Sequence, residues 1–337
     1  MIASTPVARW IWGRDDETAD PLVCCLHDLL KTYGILVAQS FATGMPMVRV
    51  VVSEAGKSNS YLLQSDLAVD FSAPDAVKLL TDQVRAALRP GEIGSVDGSI
   101  ECSGSVVTSA DGAVVRQEKL FRLSASSFAD FVSVDLVTHS DVWLPYDLKG
   151  RSQSEIYELN GHRLSTLLRT ISEVLDTETD PDDPTYFAKP TETGAENYFD
   201  PDGKASDVWR SFEVPTRYDV FTHAPGFGRI GYRRTAEGEV QCVPVHGGQG
   251  ELFGHLWVSV SEKAASFEPC DVGDDATYRA GLVWLERLRS AHDRGLSPSE
   301  ALVELTSLPD ENGSGRASDS EPRTMSLAAL REGLAGR

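Results

Sequence analysis

The sequence predicts an α+β fold in two mixed domains, the second carrying an antiparallel β-meander followed by a C-terminal helical pair. Three observations carry this expectation. Apolar residues recur at helical spacing in several stretches, alternate with period two in others, and the alternating runs are joined by glycine-containing turns. The chain has 337 residues, and a prior of about 150 residues per domain divides it in two.

The first domain is placed at residues 1–140. A helix is expected over 20–33: Asp20 suits an N-cap, Pro21 the first helical position and Gly34 the exit. Leu22, Cys25, Leu26, Leu29, Leu30 and Tyr33 share one stripe of it. Strand-like runs follow at 35–41, at 47–53, where Val48, Val50 and Val52 alternate, and at 60–64. A second helix over 74–88 presents Val77, Leu80, Val84 and Leu88 on one face. Runs 99–109 and 113–124 read as a hairpin about Asp111-Gly112, a pair that favours positive φ, and 131–137 as another strand.

The second domain is placed at 141–308, with an acidic insert at 176–207. Ser152 and Glu155 have capping-box spacing before a helix that runs to Leu175, with Gly161 a candidate break. The insert is rich in Asp-Pro and Asp-Gly pairs, so turns are expected there. Strands are expected at 216–222, 228–235, 239–245 and 251–261, the last three forming the meander. A helix over 275–294 ends at Gly295. Ser297-Pro298-Ser299-Glu300 then opens another with a capping Ser, Pro at the first position and Glu at the third. Residues 309–337 read as a flexible tail: a polar linker, then Leu327, Leu330 and Leu334 at helical spacing.

Charge is the most distinctive property. The net formal charge is −20. Between Glu173 and Asp207, eleven carboxylates face only Lys189 and Lys204, which leaves nine negative charges (11 minus 2). Such a surface repels nucleic acid and anionic membranes and attracts cationic partners. The N-terminus lacks a basic start and a continuous apolar core, which argues against a secretory signal. No run looks long and apolar enough to cross a bilayer. Five scattered cysteines, two of them adjacent, do not suggest a disulfide framework. The expectation is a cytoplasmic protein with no cofactor, no nucleic-acid partner and no membrane partner.

Motifs of catalysis or ligand binding are weak. Residues 226–231 match G-x-G-x-x-G, but Pro225 precedes them and a strand pattern follows where a dinucleotide site needs a helix. A kinase phosphate loop is excluded too, because 232–260 holds no lysine and the His-Arg-Asp and Asp-Phe-Gly motifs are missing. Asp200-Pro-Asp202-Gly203 has the look of a calcium loop, yet EF-hand spacing would put Tyr198 and Trp209 at ligand positions. His223, His246 and His255 lie in or beside the meander and are metal-ligand candidates without a local chelating pair. Cys24 lies three residues before His27, on a helix that reads as packed. The pair of C-terminal helices has helix-turn-helix spacing, but Glu300 and Glu304 disfavour DNA readout.

Three groups remain as candidate sites. In the connection 138–151, His139 with Asp141 or Asp147 forms a potential base and orienting carboxylate, and Arg151 a potential anion holder. Asp180, Asp182, Asp183, Glu192, Glu196, Asp200 and Asp202 form a potential partner surface. Arg229, Arg233 and Arg234, with Arg210 and Arg217 nearby, are arginines that either dock the acidic insert internally or hold an anion. The favoured reading is a protein-binding module, of inhibitor or immunity type, that neutralises a basic protein. The alternative is a hydrolase-like enzyme using the 138–151 connection or the meander histidines.

Overall fold

The computed structural model describes residues 1–16, 20–57, 59–71, 73–223, 231–311, 313–318 and 320–335. Its helices and antiparallel sheets form the expected α+β class. The chain divides into two compact units, Met1–Val208 and Trp209–Arg337. The division therefore falls beyond the acidic insert rather than at residue 140.

The first unit is built on a seven-stranded antiparallel sheet. In chain order its elements are β1 (Ala8–Asp15), α1 (Pro21–Ala38), β2 (Met47–Glu54), β3 (Tyr61–Ala68), α2 (Ala76–Ala87), β4 (Ile93–Val107), β5 (Val114–Phe128), β6 (Phe131–Thr138), α3 (Ser154–Leu175), β7 (Asp180–Pro181), β8 (Lys189–Thr191) and β9 (Gly194–Glu196). Strand order is β3-β2-β4-β5-β6-β1-β7, with β8 and β9 forming a separate small hairpin. β1 was not expected. Its Trp10 and Trp12 are fully buried, and its pairing partner β6 lies more than a hundred residues away in sequence.

Period-two alternation sends Val48, Val50, Val52, Val96, Ile100, Leu123, Val134 and Leu136 into a core shared with Leu26, Leu29 and Tyr33 of α1 and Leu164, Leu168 and Ile171 of α3. Polar contacts fix the helices on this face. Trp12 Nε1 donates to Ser172 Oγ at 2.9 Å, and Asn160 brackets Val107 by accepting from its N–H at 3.1 Å and donating to its carbonyl at 2.8 Å. Arg14 pairs at 2.6 Å with Asp28, which is buried on α1.

The Asp20 cap is as expected, accepting from Leu22 N at 2.9 Å. α1 does not stop at Gly34, however. Leu36 continues its buried stripe, so the helix takes the residues read as a strand at 35–41. Gly34 lies where the ring of Phe71 crosses α1, and a Cβ there would meet Phe71 Cζ at 2.9 Å. That close approach accounts for a residue costing about 1 kcal/mol in a helix interior. By length and composition α1 could also cross a membrane, with mean hydropathy 1.3 over eighteen residues, contrary to the sequence reading. In this fold half of that window is buried inside the protein. α3 runs through Gly161 unbroken, and its N-cap is Gln153, with no side-chain cap from Ser152.

The second unit begins with a π-helical turn, Trp209–Glu213, leading into α4 (Val214–Thr222). It continues with β10 (Glu239–His246), β11 (Leu252–Ser259), β12 (Ala264–Pro269), α5 (Asp275–Asp293), α6 (Pro298–Thr306), β13 (Arg316–Ala317), β14 (Arg323–Ser326) and α7 (Leu327–Ala335). The meander is β10-β11-β12, with β13 and β14 both pairing with β10. Residues 216–222, read as a strand from their alternation, are helical behind Pro215. The strand expected at 228–235 lies partly outside the described residues. Within 231–235 only an isolated bridge, Arg233 to Ala264, is present. The helical pair and the capping box at Ser297 are as read: Ser297 Oγ accepts from Glu300 N, and Ser297 N donates to Glu300 Oε2 at 2.8 Å.

The tail at 309–337 is not a free linker. β14 pairs four residues with β10, and Leu327 and Leu330 of α7 are buried with Val240, Cys242 and Trp257. Val243, Val245, Leu256 and Phe267 pack instead with Phe221, Trp284 and Leu302, so apolar elements cover both faces of the meander.

Candidate functional site

The 138–151 connection is fixed in place by its own polar groups. Trp143 is buried, stacks on Phe121 at 5.3 Å and donates from Nε1 to Thr138 Oγ1 at 3.0 Å. Asp141, fully buried, pairs with the Met1 ammonium group and accepts from Leu148 N at 3.2 Å. Burial pushes its carboxyl above the usual range, while the ammonium group opposes that shift. Asp147 accepts from Lys149 N and Arg151 N, both at 2.9 Å, and from Arg151 Nε at 2.8 Å. Gln153 Nε2 donates to the carbonyls of Asp141 and Leu144. These carboxylates and Arg151 thus close the turn.

His139 is half-buried, and desolvation holds its imidazole below the ordinary histidine pKa. A histidine with a depressed folded-state pKa contributes stability above its unfolded pKa and loses it as pH falls through the folded value. The stability of the native chain should therefore decline below about pH 6.5 more steeply than that of His139→Gln. Thermal unfolding across a pH series checks this, and parallel curves for the two proteins would contradict it.

The acidic insert gives a different picture. β7 extends the sheet at β1, Thr185 Oγ1 donates to Val7 O at 2.8 Å, and Tyr198 Oη donates to Thr185 O at 2.7 Å. Asn197 accepts from Tyr146 N and donates to Tyr146 O. The backbone is held, yet the carboxylates face water. Asp180, Asp183, Glu192, Glu196, Asp200 and Asp202 are exposed, and Asp182 is half-buried. Asp182 pairs with Arg9 at 3.3 Å and Asp202 with Lys204 at 3.0 Å. Asp200 accepts from Ser206 Oγ at 2.6 Å, so the calcium-like turn is a hydrogen-bonded loop. Two large aromatics are exposed among these acids, Tyr186 at 68% and Phe199 at 55%. Sequence reasoning passed over both, although an aromatic set between Asp-Pro turns was the available signal.

Of the arginine candidates, Arg217 and Arg234 are held by contacts within the second unit. Arg234 donates to the carbonyls of Val220 and His223, Arg233 joins the bridge to Ala264, and Arg229 lies outside the described residues, as does most of the 226–231 glycine motif. Arg217 is buried between Trp209 and Tyr278 and pairs with Glu213 at 2.7 Å and Asp275 at 2.8 Å.

In the register His246 and His255 are diagonal neighbours on adjacent strands, and His223, at the end of α4, lies away from that pair in sequence. His246 lies opposite Leu252, His255 lies opposite Pro244 and Glu268, and exposed His223 pairs with Asp219. Among the described residues no three His, Cys, Asp or Glu side chains gather as a metal site. A cluster the sequence did not reveal joins α4, β12 and α7: buried Glu268 accepts from Tyr218 Oη and from Arg331 Nε at 3.1 Å. Cys24 accompanies Asp16, and its thiol is pushed up to about 11 by burial, which leaves it unreactive at neutral pH.

Two grooves stand out in the first unit. One of about 650 Å³ lies between α1 and α2, over Val23, Leu30, Phe71, Pro74 and Val77. The other, of about 400 Å³, lies on the sheet and is lined by Arg49, Arg122, Ser99, Ser124 and Asp97 among others. Comparison with family models, with curated proteins and with solved structures finds no match for this chain.

Proposed function

We propose that this protein is a binding module of inhibitor or immunity type, which captures a basic protein on the 176–207 surface of its first unit. The observation that carries the reading is a fixed backbone presenting exposed carboxylates around two exposed aromatics. Long-range attraction from the carboxylates speeds encounter, and Tyr186 and Phe199 supply the apolar anchors on which interface affinity concentrates. Holding the segment by Asn197, Tyr198 and Thr185 lowers the ordering cost of binding. Five free thiols fit a reducing compartment such as the cytoplasm. The carboxylates of the 138–151 connection, engaged in their own turn, favour this reading over a hydrolase-like one.

The test is affinity capture with the native chain and with a variant carrying Asp180→Asn, Asp183→Asn, Glu192→Gln and Glu196→Gln. The native chain is expected to retain a basic protein at low ionic strength that the variant does not retain. Equal recovery by both baits sinks the proposal.

A further inference from the structure

The edge strands of the two main sheets are not protected alike. β7, at one end of the seven-stranded sheet, is two residues long and carries Pro181. β12, at an end of the meander sheet, is bridged from outside by Arg233, whose carbonyl accepts from Ala265 N at 2.8 Å. β3, at the other end of the seven-stranded sheet, is eight residues long and holds neither proline nor lysine, the usual guards of an exposed edge.

Which of its backbone groups face outward follows from one bond. Val69 N donates to Pro46 O at 3.1 Å, in the register that pairs Leu67 with Val48 and Ser65 with Val50. By alternation, the odd-numbered residues of β3 turn their N–H and C=O toward β2, and Gln64, Asp66 and Ala68 turn theirs outward. Leu62 O, which also points outward, is taken by Arg89 N at 3.0 Å. Gln64, Asp66 and Ala68 are exposed, and among the described residues nothing pairs with their outward backbone groups. Beside them a groove of about 250 Å³ is lined by Ala68, Val69, Leu80 and the exposed Met45 and Leu79.

The geometry points to a second copy of this chain as the occupant of that edge, β3 pairing antiparallel with β3 about a two-fold axis at Leu67. An axis at Asp66 would set two carboxylates directly opposite each other, which is destabilising. An axis at Ser65 would bring Ala68 of the second copy onto Leu62, where Arg89 already sits. With the axis at Leu67, Asp66 faces Ala68 of the second copy and keeps Arg49 on its other side. Two Asp66–Ala68 pairs then close four backbone hydrogen bonds, the two Leu67 side chains meet at the axis, and the apolar grooves of the two copies adjoin. Charge does not oppose the arrangement. Each acidic insert joins its sheet at β7, the far edge, so the two inserts lie roughly 60 Å apart at about 4.8 Å per strand, well beyond a screening length of about 10 Å. The pairing is separate from the capture of a basic protein and does not depend on it.

Sedimentation of the full chain over a concentration series tests this. A reversible dimer of twice the 36.6 kDa chain mass is expected. Ala68→Pro removes an outward N–H that the fold itself leaves unused, so thermal unfolding should show a folded monomer. By symmetry it deletes two hydrogen bonds between copies, and the dimer dissociation constant should rise about tenfold or more. Leu67→Cys should cross-link two copies on mild oxidation, because residues directly opposite at such a position have Cα atoms about 4.5 Å apart. Ser65→Cys, which would face Val69 of the second copy, should cross-link no more than the native chain. A native chain that stays monomeric at every concentration overturns the proposal. So does an Ala68→Pro variant that dimerises as the native chain does, or equal cross-linking through Cys introduced at 65 and at 67.

Discussion

Arg217→Ala will destabilise the protein by about 3–5 kcal/mol, the cost of leaving a buried charge without its partner. Glu213 is fully buried and Arg217 nearly so, and their bond is 2.7 Å long. The guanidinium carbon also lies 4.4 Å from the Trp209 ring and 4.6 Å from that of Tyr278. Truncation therefore removes a cation–π stack along with the ion pair. Replacing both partners, as in Glu213→Gln with Arg217→Met, should cost markedly less than Arg217→Ala alone, because no ionised carboxylate is then stranded. Urea unfolding of the three proteins decides this. A loss under about 1 kcal/mol for Arg217→Ala would place the pair with ordinary exposed ion pairs.

Ending the chain at Pro322 is the second change with a large expected effect. It deletes β14 and α7, and with them the four-residue pairing to β10 and the burial of Leu327, Leu330 and Leu334. At about 1.5–3 kcal/mol for each buried leucine, the loss is roughly 5 kcal/mol or more. It also leaves Glu268 without Arg331 and uncovers Trp257, so tryptophan emission should shift to the red. Leu330→Ala, a milder test, should cost about 2–5 kcal/mol. Unchanged unfolding of the shortened chain would mean that these residues are the loose tail their composition suggests.

What could be read from the sequence was what is decided locally. The Asp20 and Ser297 caps and the Asp111-Gly112 turn depend on a few adjacent residues, and each lies where the pattern put it. Elements whose identity depends on a distant partner were missed or misread. β1 becomes a strand by pairing with β6, and β14 by pairing with β10, from a stretch whose composition resembles a linker. Every residue of β12 is buried, so it carries no alternation to detect. Residues 216–222 alternate like a strand, but Pro215 and the preceding turn commit them to a helix, with Phe221 buried and Tyr218 half-buried.

The candidate site divides in the same way. The concentration of acid in 176–207 is a property of composition, and so it was visible. That these carboxylates stay in water while Asp141 and Asp147 are consumed by a turn depends on contacts with Met1, Leu148 and Arg151. That Arg49 faces Asp66 and Arg122 faces Glu101 on one side of the sheet depends on the register of β3, β2, β4 and β5.

The central claim, that the acidic insert attracts a basic partner, is tested most directly by the association rate of the captured protein as a function of ionic strength. The rate for the native chain is predicted to fall steeply with added salt, and that of the Asp180→Asn, Asp183→Asn, Glu192→Gln, Glu196→Gln variant to be slower and nearly flat. Equal rates and equal salt slopes for the two proteins would contradict the claim.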